Sequence, residues 1–152
     1  MAVIANWYGK GPSHLIKGEV AFLTDTIKVA LMQASYVYDK DAHDTFADIV
    51  ASEVAVVANN GYIARGVALG TKSVTYDTAT DRSRIFAANP IWTPSVGVSL
   101  SAGHAVYYKD SGVNATSFLL GCLSFGTTIT ATGAPLTINF DVTDGLLYIQ
   151  VP

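Results

Sequence analysis

The residues that do chemistry in other proteins are few here, and they are scattered. Three histidines, His14, His43 and His104, share no local spacing, and none stands in an H-E-x-x-H or C-x-x-C setting. The sequence therefore names no zinc site. Asp39-Lys40-Asp41-Ala42-His43-Asp44 looks at first like the start of a cation-binding loop. An EF-hand needs a glycine at its sixth position and a glutamate at its twelfth. Counting from Asp39, those positions hold Asp44 and Val50, so the pattern fails. Capping of a helix start and plain solvation explain these acids more cheaply, with a looser cation site left open. Tyr8-Gly9-Lys10-Gly11-Pro12-Ser13 holds only fragments of a phosphate loop, and no G-x-S-x-G elbow activates a serine. The single cysteine, Cys122, lies in the apolar run Leu119-Leu120-Gly121-Cys122-Leu123 and reads as a buried, inert thiol. We expect no enzyme, and assign no catalytic, cofactor-binding or metal-binding residue.

The aromatic residues carry more promise. Of eight tyrosines, six phenylalanines and two tryptophans, most fall where a strand needs a core residue, as Phe140 and Tyr148 do. Trp7, Tyr8, Tyr36 and Tyr38 lie in arm or loop contexts instead. Tyrosine and tryptophan are favoured at interfaces, so these four are candidates for intermolecular contacts. We group with them the apolar Ile4 of the N-terminal segment and the acids Asp39, Asp41 and Asp44.

Composition sets the frame that must position these residues. Of 152 residues, 50% are hydrophobic and only 14% are charged, against about 25% charged in an ordinary soluble domain. The length suits one domain, which buries roughly 68–70% of its unfolded surface without disulfides. A net charge of −3 argues against a nucleic-acid surface. No apolar run reaches the roughly 20 residues of a membrane span, and Met1–Tyr8 lacks the basic region of a signal peptide. Fifteen threonines, eleven serines and thirteen glycines take the place of ions. That composition fits strands whose outward positions are hydroxyls, which cost less to desolvate than charges. The acids that exist are gathered, with seven Asp or Glu and two Lys in residues 18–53.

Periodicity predicts an all-β fold. Ile27, Val29 and Leu31 alternate with smaller or polar neighbours in Thr26–Met32, the mark of a half-buried strand. Further strands are expected at Tyr62–Ala68, Ser73–Asp77 with Val74 and Tyr76 or their neighbours inward, Arg82–Ala87, Ile91–Trp92, His104–Lys109, Phe118–Phe125, Leu136–Phe140 and Leu147–Val151. Asn59-Asn60-Gly61, Asp77–Asp81, Asp110-Ser111-Gly112 and Asp144-Gly145 supply turns. Asp44 as N-cap, followed by Phe46, Ile49 and Val50, predicts one short helical insertion over about residues 44–53. Ser13 is expected to cap a turn closed by Gly18. The expected architecture is a β-sandwich, jelly-roll-like, with residues 1–17 as an N-terminal arm and short turn and residues 18–152 as a single domain. An arm of this kind predicts that removing residues 1–11 leaves the domain folded while weakening assembly.

From Lys17 onward the sequence resembles a family of small virion structural proteins of tailed bacteriophages. The resemblance runs through Lys17-Gly18-Glu19-Val20, Thr24–Leu31, Asp39–Asp48, Lys72–Asp77, Ala105–Asp110, Gly121–Gly126 and Ile138-Asn139-Phe140-Asp141. These are strand and turn signatures, so they imply a scaffold and carry no catalytic residue across. The resemblance implies a bacteriophage capsid decoration, or cement, protein that stabilises the head shell by contacts with the major capsid protein. It implies a virion location, synthesis in the host cytoplasm, and a homo-oligomer with a trimer as the guess. Neither nucleic acid nor membrane is an expected partner. The alternative is a tail, baseplate or head-fibre module that binds a host-surface glycan or another virion protein.

Overall fold

Alternation of Ile27, Val29 and Leu31 with Lys28, Ala30 and Met32 sends the two sets to opposite faces of a strand. In the computed structural model, which describes residues 5–150, all but Lys28 are buried, so that strand lies in a covered sheet. The elements follow in order: β1 (Asn6–Trp7), α1 (Gly11–Ile16), β2 (Ile27–Met32), α2 (Phe46–Ile49), β3 (Val67–Ala68), β4 (Ser73–Asp77), β5 (Arg82–Phe86), β6 (Ile91–Trp92), β7 (Ser99–Lys109), β8 (Leu119–Thr132), β9 (Leu136–Thr137) and β10 (Leu147–Gln150). The fold is all-β. A five-stranded antiparallel sheet runs β1-β8-β7-β2-β3, a three-stranded one β10-β5-β4, and β6 pairs with β9.

The two larger sheets layer over one core. Val29, Leu31, Ala105, Tyr107, Leu120 and Leu123 meet Ile85 and Leu147 of the three-stranded sheet, with Trp92, Ile138 and Phe140 beside them. The opposite face of the five-stranded sheet presents Ala30, Met32, Val106, Tyr108, Leu119 and Cys122. No sheet covers it. Tyr8, Tyr36, Phe46 and Ile49 do, from α2 and the connecting segments. The β7–β8 pair is adjusted twice to serve both cores. Tyr107 pairs with Gly121 and Tyr108 with Leu119, so Leu120 is an extra residue that turns into the first core. Farther along, Ala102 pairs with Ile129 and His104 with Ser124, leaving Gly103 opposite Phe125–Thr128.

Several elements differ from the periodicity. The segment 5–17 is no arm: β1 pairs with β8 at Asn6–Cys122 and Trp7–Gly121, and Tyr8 is fully buried. Helix α1 starts after Lys10 with no side-chain cap, so Ser13 is inside it, and Gly18 closes the turn at φ 72°. The helical insertion is one turn of α-helix followed by a 3-10 turn, Val50–Ser52. Its N-cap is Thr45 rather than Asp44, because the Asp48 carboxylate accepts the Thr45 N–H at 2.8 Å and completes a capping box. The run 62–68 shortens to β3, since Arg65 and Gly66 take φ of 67° and 72° and end the extension. The run 136–140 shortens to β9, while β7 and β8 outrun their expected bounds. Val74 and Tyr76 are exposed, as β4 is the edge of a sheet buried only near Ile85 and Leu147.

Candidate functional site

The N-terminal segment and the acidic segment, both expected to meet a partner, hold each other. The Gly9 N–H donates to Lys40 O at 2.8 Å, and a Cβ on Gly9 would stand 2.9 Å from that same oxygen. The Tyr8 and Tyr36 hydroxyls are 2.6 Å apart, and Tyr36 Oη is 3.1 Å from His43 Nδ1. The Tyr38 hydroxyl donates to Trp7 O at 2.5 Å, and its ring packs 5.1 Å from that of Tyr8. Lys10 Nζ pairs with Asp44 Oδ2 at 3.0 Å. His14, 6% exposed, stacks on Phe118 at 4.1 Å, with Nδ1 2.6 Å from Glu19 Oε2 and Nε2 2.7 Å from Asp44 Oδ1.

These contacts revise the candidate residues. Tyr8 and Tyr36 are buried inside the chain and present no ring to a partner. Trp7 is partly covered and donates its indole N–H to Tyr148 O at 2.7 Å; Tyr38 is partly covered too. Asp44 is engaged by His14 and Lys10. Burial raises its carboxyl, but those hydrogen bonds bring it below the usual range. Asp39 accepts the N–H groups of Asp41 and Ala42, and these hold its carboxyl low and shape the turn. Asp41 is exposed and pairs with Lys40 at 3.1 Å. Ile4 lies outside the described residues.

The clasp holds rather than reacts. Burial pushes the Cys122 thiol up to about 12, so it is protonated at neutral pH and is a poor nucleophile. Burial likewise pushes the Tyr8 and Tyr36 hydroxyls far above the ordinary tyrosine range. Among the described residues, no group of three or more His, Cys, Asp or Glu side chains is placed to hold a metal ion. A cavity of about 370 Å³ opens at the second irregularity of β7–β8, lined by Ala34, Gly103, His104, Ser124 and residues 126–128. The Nδ1 of His104 is buried beside it without a hydrogen-bond partner, and nothing in the spacing of the histidines marks it.

A larger feature is the distribution of charge. No Asp, Glu, Lys or Arg occurs between Glu53 and Arg65, between Arg84 and Lys109, or between Asp110 and Asp141. The fold brings parts of these segments together. Ser95 N–H donates to Asn59 O at 2.9 Å, Gly133 N–H to Val98 O at 3.2 Å, and Ile138 N–H to Pro90 O at 3.2 Å. β6 pairs with β9, and Ser99–Ala102 of β7 pairs with Ile129–Thr132 of β8. Exposed in these segments are Val56, Val57, Ile63, Ile91 and Val96, the last of them 92% exposed. Between them run serine and threonine hydroxyls: Ser99 with Thr132 and Ser101 with Thr130, each pair 2.7 Å apart. The gaps between charged residues were the sequence signal for this surface.

Comparison with protein-family models, with curated proteins and with solved structures returns no match. No helix among the described residues is long and apolar enough to cross a membrane.

Proposed function

We propose that this chain is a structural assembly protein, and specifically a bacteriophage capsid decoration protein that stabilises the head shell through contacts with the major capsid protein and with its own copies. The charge-free surface carries this reading. A monomer that stays in water normally dilutes its exposed valines and isoleucines with ions, and patches lacking them mark contact sites. Here Val56, Val57, Ile63 and Val96 are exposed in segments that hold no Asp, Glu, Lys or Arg. Such a surface is desolvated at low cost, because no carboxylate or ammonium has to leave water. The resemblance of residues 17–141 to virion structural proteins supplies the particle.

The test mixes the purified chain with undecorated phage heads. Saturable binding with a rise in the temperature at which heads break is the expected result. Val96→Asp, which places a charge at a 92% exposed position, should weaken that binding without changing the melting of the free protein. Adsorption to host cells with no affinity for heads would instead favour a tail or fibre module. Tyr8 and Tyr36, two of the four aromatics expected to make intermolecular contacts, are buried.

A further inference from the structure

We propose that a second copy of this chain adds to the outer edge of β8, antiparallel, through the backbone groups of Thr130 and Thr132. Strand β8 has β7 along one side except at the irregularity over Phe125–Thr128, but on its other side β1 pairs only with Gly121 and Cys122. Beyond that point its outer edge has no strand partner among the described residues. The direction of its backbone groups follows from one hydrogen bond. Gly133 N–H donates to Val98 O, so Val98 and Gly133 continue the ladder as a hydrogen-bonded pair. Antiparallel ladders alternate, which makes Ser99–Thr132 and Ser101–Thr130 the pairs that are not hydrogen-bonded through their backbones. The N–H and C=O of Thr130 and Thr132 therefore point away from β7, toward the open edge.

Native edges are commonly guarded by lysine, proline or an inward charge. β4, the other long edge, is flanked by Lys72 and ends in Asp77, which pairs with Arg84. The sequence Thr127-Thr128-Ile129-Thr130-Ala131-Thr132 has no charge and no proline, and it is rich in β-branched residues. Its exposed face is a row of hydroxyls, already paired across to Ser99 and Ser101. A hydroxyl both donates and accepts, so a row of them complements a copy of itself, whereas a charged partner would bury its charge without a counter-ion. A second copy is thus the occupant that this edge fits. About a two-fold axis at Ala131, Thr130 of each copy exchanges backbone hydrogen bonds with Thr132 of the other, and the contact closes at two copies.

This inference rests on reading the charge-free surface as an assembly surface, and its test separates the two. The full chain is followed by sedimentation over a range of concentrations, with hydrogen exchange read at the Thr130 and Thr132 amides. The expected result is a concentration-dependent dimer in which those two amides gain protection. Thr130→Pro removes an outward N–H and no bond to β7, a position where an edge strand tolerates proline. It should weaken dimerisation at least tenfold, while Thr130→Val, which keeps the N–H, should not. If the proline variant does not fold, amide protection in the unmodified chain decides alone. A chain that stays monomeric at millimolar concentration, or a dimer whose Thr130 and Thr132 amides exchange as in the monomer, overturns the inference. Head binding by a monomer would retain the proposed contact with the major capsid protein and refute the edge; a β8-edge dimer indifferent to heads would do the reverse.

Discussion

His14 Nε2 stands 2.7 Å from Asp44 Oδ1, and this contact ties helix α1 to the segment that leads into α2. The histidine is 6% exposed, stacked on Phe118, and meets Glu19 on its other nitrogen. With the Gly9–Lys40, Tyr8–Tyr36 and Lys10–Asp44 contacts, it fixes the N-terminal segment to the elements that cover the second face of the sheet.

His14→Ala should therefore cost more than a surface change. It removes a stacked ring and the hydrogen-bond partner of Glu19, and leaves Asp44 with Lys10 alone, a loss of about 2–3 kcal/mol. Lys10→Ala breaks a pair whose lysine side chain is 59% exposed, and should cost under about 1 kcal/mol. Urea denaturation of the two variants checks the order; equal losses would place the clasp's strength elsewhere than His14.

Removal of residues 1–11 should destabilise the domain rather than free it. The deletion takes away β1 and Tyr8, whose side chain is fully buried between Tyr36, Tyr38 and Cys122. Tyr8→Ala alone should cost about 3–5 kcal/mol, the usual loss for a buried aromatic. A truncated chain that melts like the full one would show that the second core closes without its N-terminal wall.

The strands that alternate over a sheet were legible in the sequence, and the second core was not. Ile27–Met32 and the β4–β5 hairpin around Asp77–Asp81 announce themselves by period and turn chemistry. Tyr8 and Tyr36 have no period around them, and an aromatic in a glycine-rich or loop stretch reads as exposed. They are buried because segments far apart in the chain cover one sheet face together. Val74 and Tyr76 show the converse. Their alternation is strand-like, yet a strand at the rim of a sheet has nothing packed above it. Asp44 reads as the N-cap by its place ahead of Phe46, and only the capping box between Thr45 and Asp48 moves the cap to Thr45.

Acid should unfold the protein in part through Asp110. Burial works against its ionisation, but Lys28 at 2.6 Å, the Gly112 N–H at 3.0 Å and Arg65 outweigh it and hold the carboxyl down to about 2. A folded value below the ordinary one stabilises the fold above pH 4, and that contribution is lost as pH falls toward 2. The shift corresponds to roughly 2 kcal/mol. Asp110→Asn should lower stability at pH 6, where it strands Lys28 and Arg65. It should also shrink the stability difference between pH 6 and pH 2 by about that amount. An unchanged difference would assign the acid sensitivity to the other low carboxyls, such as Asp25 and Asp48.

Ile138→Asp should unfold the domain. Ile138 is 3% exposed in the core between the sheets, and its N–H is bound to Pro90 O. An unpaired charge there costs several kcal/mol, against a total stability of about 5–15 kcal/mol. Circular dichroism melting checks it; a normal melt would mean that residue 138 faces water.

Gly66→Ala should be as damaging as a core charge, although it adds a single methyl. Gly66 sits at φ 72°, and a Cβ built on it would lie 1.8 Å from Val29 O and 2.7 Å from Ala30 Cα. Both are backbone atoms of β2, the strand buried on its two faces, so no side chain can move aside to make room. The left-handed conformation adds roughly 1–2 kcal/mol of its own. The neighbouring Arg65 is held by Asp110, Ser117 and Asn114 and lies over the Phe46 ring at 5.1 Å, so the turn cannot shift without pulling that network apart. Gly18→Ala is the control, with φ 72° as well but nothing within 4 Å of its Cβ. It should lose only the conformational part, and thermal melts of the two variants separate close approach from backbone strain.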